Sequence, residues 1–106
     1  MLTQKTAIEK VRRFVRQVND SGLHLQGVVL YGSYAKNTQH KWSDIDVALV
    51  ADNFKCIGFY DFDLFGKTLI QKPFFMISPR TYNTRDFNPD KDPFVEEILK
   101  DGIEIE

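Results

Sequence analysis

Apolar residues at Ala7, Ile8, Val11, Phe14, Val15 and Val18 recur at helical spacing, and the stripe predicts a helix over residues 3–21. Thr3 is its expected N-cap. Ser21-Gly22 is its expected stop, because glycine accepts the left-handed conformation in which many helices end. Residues 25–31 predict a strand, with Val28, Val29 and Leu30 apolar without alternation, as in a strand covered on both faces. Gly32 breaks it, and residues 33–36 read as one short helical turn. A polar loop over 37–41 leads to a second strand, residues 44–50. Its alternation sends Ile45, Val47 and Leu49 to one face and Asp44, Asp46, Ala48 and Val50 to the other.

Residues 52–71 carry Ile57, Tyr60, Leu64, Phe65, Thr68 and Leu69 near helical spacing, which predicts helix for most of the segment. A third strand is expected over residues 74–77, opened by Pro73 and ended by Pro79, with loop over 80–92. Asp92-Pro93 has the form of an N-cap and first helical residue, opening a helix that runs to Lys100. Asp101-Gly102 stops it, and Ile103-Glu104-Ile105 suits a short edge strand. The order α-β-α-β-α-β-α-β predicts one α/β domain over residues 1–106, with no internal repeat, linker or low-complexity stretch.

Composition narrows the class. With 106 residues and 42% apolar content, the chain can bury a core without staples. The single cysteine, Cys56, allows no internal disulfide and fits a reducing compartment; with no His or Asp context it reads as inert and buried. No apolar run approaches the ~18 residues of a membrane span, and the first residues lack the apolar core of a secretory signal, so a cytoplasmic soluble protein is expected. Net charge is −1, but it is unevenly spread: residues 1–41 hold seven Lys or Arg against two acids, and residues 86–106 hold eight acids against two Lys. The basic end suits phosphates or an acidic partner, or is simply a solvated face; the balance is not that of a dedicated nucleic-acid binder.

Two elements carry candidate chemistry. The first strand runs into Gly32-Ser33 and a helical turn, where glycine lets an anion approach the backbone and Ser33 adds a donor. The second is Ser43-Asp44-Ile45-Asp46. On a strand both carboxylates leave the same face, with Cα atoms roughly 6.5–7 Å apart. So placed they repel, and are tolerated only when well solvated or bridged by a cation such as Mg²⁺, which takes oxygen ligands and keeps positions for substrate phosphates. Asp-x-Asp also occurs at 61–63 and 90–92, but only 44–46 opens an apolar strand after a Gly-Ser turn.

Gly32-Ser33-Tyr34-Ala35-Lys36-Asn37-Thr38 followed by Ser43-Asp44-Ile45-Asp46-Val47-Ala48-Leu49-Val50 resembles the signature of minimal nucleotidyltransferases of the DNA polymerase β superfamily. The match spans residues 28–50, with weaker similarity through Asp92-Pro93-Phe94-Val95 and residues 98–105. The resemblance implies a polymerase-β-type α/β fold, a small mixed sheet with helices packed on it. It implies that Gly32, Ser33, Lys36 and Ser43 bind a nucleoside triphosphate and that Asp44 and Asp46 are catalytic and ligate Mg²⁺ or Mn²⁺. The implied reaction moves a nucleoside monophosphate, from ATP in the first instance, to a protein or RNA hydroxyl, with pyrophosphate leaving. Relatives of this size pair with HEPN-type helical proteins in toxin–antitoxin operons, so the alternative is a catalytically weakened binding module of antitoxin type.

The chain departs from that family at two places. Asn37 stands where glycine is usual, a mild change because asparagine tolerates the left-handed region. The family's third carboxylate, on the next strand, falls at Ser78, which is a poor metal ligand and no general base at neutral pH. Asp61 and Asp63 are the possible substitutes if their segment folds back over the site.

Other polar residues have two readings. Lys36, Lys41 and Arg80 suit the triphosphate charge or are solvated loop cations. His24 and His40 have no paired ligand spacing. Trp42 either stacks on a base or caps the core edge. The phenylalanines from Phe54 to Phe94 read mostly as core; several exposed together would mark a partner surface. The sequence leaves open whether the chain forms an oligomer.

Overall fold

The computed structural model describes residues 2–55 and 57–105; Cys56 lies outside them. Helix α1 spans Gln4–Asp20. Thr3 and Thr6 form a capping box, each side chain accepting from the other's backbone amide, at 3.2 and 2.9 Å. Ser21 closes the helix and Gly22 follows at φ 109°, where a side chain would be strained. The buried stripe is Ala7, Val11, Phe14, Val15 and Val18.

Strand β1 (Gly27–Tyr31) leads through Gly32 into the single turn of α2 (Ser33–Lys36). Strand β2 (Ile45–Val50) pairs antiparallel with β1. Helix α3 (Gly58–Leu69) and a 3-10 turn (Lys72–Phe74) connect β2 to β3 (Ile77–Tyr82), which pairs parallel with β2. Two parallel neighbours need such a crossover, and α3 supplies it. Helix α4 (Pro93–Asp101) is capped by the Asp92 carboxylate accepting from the Phe94 amide at 2.9 Å. Strand β4 (Ile103–Glu104) then pairs antiparallel with β1, giving a mixed sheet of order β3-β2-β1-β4.

The sheet is covered on both sides. Ile45, Val47 and Leu49 join Val28 and Leu30 under α1 and α3, where Phe14 makes edge contacts with Phe65 and Phe74 at 6.4 and 5.6 Å. Val29, Ala48 and Val50 pack on the other face with Tyr82 and with Val95 and Ile98 of α4. The continuous apolar run of β1 has this cause.

Three expectations change. The third strand lies at 77–82, so Phe74 belongs to the turn before it and Pro79 sits inside the strand. Because β3 is the sheet edge, a residue without an N–H is tolerated there. Trp42 does not cap the core: it is 79% exposed, under the Lys41 ammonium at 5.2 Å. The later phenylalanines divide, with Phe54, Phe65 and Phe74 buried and Phe59, Phe62, Phe75 and Phe94 exposed. No helix among the described residues is long and apolar enough to cross a membrane.

Candidate active site

The end of β1, the turn after it and the start of β2 come together because the hairpin register sets Tyr31 opposite Asp46. Gly32 follows at φ 75° and ψ −152°, a conformation that side chains rarely adopt. A Cβ there would stand 3.2 Å from Cγ of Asp46, with the carboxylate oxygen closer still. The backbone of the turn and the Asp46 side chain are thus in direct apposition. At the far end of α2, Asn37 holds the left-handed conformation at φ 58° and ψ 37°, and the Thr38 amide donates to the Ser33 carbonyl at 2.9 Å. Asparagine is one of the few residues with a side chain that visit this region readily.

Asp44 sits one residue before β2 and is exposed; Asp46 is half-buried. Burial raises the Asp46 carboxyl above its usual range, and the negative charge of Asp44 raises it further. Burial also raises the Tyr31 phenol, with Asp46 adding to the effect and Arg80 opposing it. Two neighbouring carboxylates, one of them half-buried, make the electrostatic setting a divalent cation relieves.

Across the β2–β3 pairing, Ser78 lies opposite Asp46, so Tyr31, Asp46 and Ser78 form one row on one face. Ser78 is exposed. Two residues on, Arg80 shares that face. Its Nε donates to the Tyr82 hydroxyl at 2.9 Å, and its guanidinium carbon lies 4.4 Å from the Phe94 ring centroid. Tyr31 meets the same Phe94 ring edge-on at 6.0 Å. Beside Gly32 a cavity of about 230 Å³ is lined by Tyr31, Lys36, Phe94, Glu97, Ile98 and Asp101. Tyr31, Phe94 and the two α4 acids were not read from the sequence. The hairpin register would have located Tyr31; the α4 residues carry no local signal.

The remaining candidates lie elsewhere or are engaged. Asp61 is 1% exposed and accepts from the Lys55 amide at 2.8 Å and the Thr81 hydroxyl at 2.7 Å. Thr81 alternates with Ser78 and Arg80 on β3, so Asp61 works under the opposite face of the sheet from Asp46. Asp63 is exposed on α3, in a groove with Phe62, Gly66, Lys67 and Ile70. Neither supplies a third carboxylate: among the described residues no group of three His, Cys, Asp or Glu is placed to hold a metal ion. Ser43 is buried, and its hydroxyl accepts from the His40 amide at 2.9 Å, bracing the loop before Asp44. Lys36 is exposed at the rim of the cavity. Lys41, His24 and His40 are exposed, with His40 Nδ1 accepting from the Trp42 amide at 3.3 Å.

The fold has solved counterparts. A Sulfolobus solfataricus protein assigned as a nucleotidyltransferase superposes with a TM-score of 0.67 at 20% identity, over 95% of this chain and 80% of that one. A toxin–antitoxin structure with AMP-PNP gives 0.60 at 23%, over 92% and 70%. A mutant of the toxin–antitoxin pair MntA–HpeT gives 0.58 at 21%, over 92% and 70%. At these identities the likeness is one of fold. No curated protein matches the sequence. The family model of the nucleotidyltransferase domain matches residues 8–105, nearly the whole chain, and the protein belongs to that family.

Proposed function

We propose that this chain transfers a nucleoside monophosphate from a nucleoside triphosphate, ATP in the first instance, to a hydroxyl of a protein or RNA, with Mg²⁺ or Mn²⁺. The observation that carries the reading is the apposition of Gly32 and Asp46, with Asp44 one strand repeat away. Asp44 and Asp46 would hold the cation, and substrate oxygens and water would fill its other positions. When bound, the cation supplies charge for the phosphoryl oxygens in the transition state. The chain's own residues bind and orient. Gly32, without a Cβ, lets the Asp46 carboxylate stand directly against the turn whose amides would face the phosphates, Ser33 adds a hydroxyl donor, and Lys36 adds charge at the rim. The aromatic and acidic walls of the adjoining cavity offer a place for the base or the acceptor.

One observation favours a second reading. The residue opposite Asp46 is a serine, so no third carboxylate is at hand to take the acceptor's proton. On that reading the domain is a binding module, an antitoxin-type partner of a HEPN-like helical protein, and the two fold neighbours that are toxin–antitoxin structures lend support.

The test is transfer of label from α-labelled ATP with Mg²⁺ onto the protein encoded beside it and onto RNA. Transfer that falls at least ~10²-fold in Asp44→Asn supports the enzyme. Absence of label with the wild type, while the neighbouring protein is still bound, supports the module.

A further inference from the structure

Helix α3 turns Phe65 and Thr68 inward and leaves Phe59 80% exposed, with Ile70 just past its end 73% exposed. Between them the Phe62 ring lies on the backbone of Gly66, where an added Cβ would come within 2.5 Å of the ring. The ring covers Gly66, and beside it runs a groove of about 360 Å³ lined by Phe62, Asp63, Gly66, Lys67 and Ile70. On a helix at 100° per residue, Phe62 flanks the strip formed by Phe59, Gly66 and Ile70 on one side. Asp63 and Lys67, four residues apart, flank it on the other. A row this apolar on a monomer's surface marks a contact.

The charge order selects the occupant. A two-fold axis perpendicular to two antiparallel copies of α3 keeps each flank on its own side and reverses its order. Asp63 of one copy then meets Lys67 of the other, twice, while the apolar strips face each other. Parallel packing about a two-fold axis would instead set the Asp63 and Lys67 flank of each copy against the Phe62 flank of the other, leaving both charges unpaired. We propose that the outer face of α3 is the interface of a homodimer in which the two α3 helices pack antiparallel about a two-fold axis.

The test is the mass of the full chain by sedimentation velocity from micromolar to sub-millimolar concentration, with Asp63→Lys and Lys67→Asp. Both positions are exposed, and circular dichroism checks that each variant is folded. The wild type is expected to dimerise. Each variant alone is expected to dissociate about tenfold more readily, since both pairs become like-charged. A one-to-one mixture of the two variants is expected to regain wild-type dimerisation, because an all-positive flank then meets an all-negative one. Charge effects within a single helix cannot produce that recovery. A monomeric wild type, unaltered dimers in the variants, or a mixture that fails to recover overturns the proposal. So does a monomer whose α3 face is protected only when the neighbouring helical protein is added.

Discussion

Gly32 and Asp46 occupy contiguous space, so that a single methyl group at residue 32 would stand 3.2 Å from the Asp46 Cγ. Gly32→Ala therefore faces both that collision and the strain of a side chain at φ 75°. The expected result is a loss of about 1–3 kcal/mol in urea unfolding and, through displacement of Asp46, a drop of about 10²-fold in nucleotidyl transfer. Unaltered transfer would show that the apposition is not needed for function.

Asp46 gives a prediction with a sign. Its folded-state carboxyl titrates above the usual range, so between the unfolded and folded values the native state binds more protons. Stability is then greatest below the unfolded value, and this contribution is lost as pH rises through the folded one, from about pH 4 upward. In EDTA, Asp46→Asn is expected to flatten that decline and to gain a fraction of a kcal/mol at neutral pH, the gain being small because the group is half-exposed. The same variant is expected to lose transfer. Urea midpoints against pH check the first outcome and labelled ATP the second.

Ser78 lies opposite Asp46, where a third carboxylate would complete the donor set. Ser78→Asp is expected to tighten Mn²⁺ binding by about tenfold, one carboxylate's worth of added attraction in a half-exposed site. Calorimetric titration of Mn²⁺ into wild type and variant measures it. If affinity stays flat, the β3 row does not face the cation.

Asp61 is a structural carboxylate. It ties α3 to the loop at Lys55 and to Thr81 of β3. Asp61→Ala is expected to cost about 2–3 kcal/mol, since two donors lose a charged acceptor in a buried place. Transfer per folded molecule should be unaltered. A variant that stays stable but loses transfer would return Asp61 to the active site.

Much of this was legible in the chain because it is local. The α1 stripe and the Thr3 and Asp92 caps follow from residues within one or two turns of each other, and the left-handed Asn37 from the glycine usual there in the family the sequence resembles. The alternation that places Asp46 on one face and Ile45 on the other is likewise a property of six consecutive residues. The end of β3 was misread because Pro79 signals an end in isolation, and only the edge position of its strand makes it acceptable.

The sequence by itself determined most of the elements and their order, because short-range periodicity and backbone preference act without reference to the rest of the molecule; Gly32-Ser33 was linked to Asp44 and Asp46 only through the family signature they resemble. The tertiary structure alone decided which carboxylates share a site. Asp44-Ile45-Asp46 and Asp61-Phe62-Asp63 are alike as strings. One stands at a strand start against a glycine turn, and the other turns one carboxylate into the core and the other to solvent. Register across β1, β2 and β3, the opposite faces of the sheet, and the outward strip on α3 depend on contacts between residues far apart in the chain, and no local pattern encodes them.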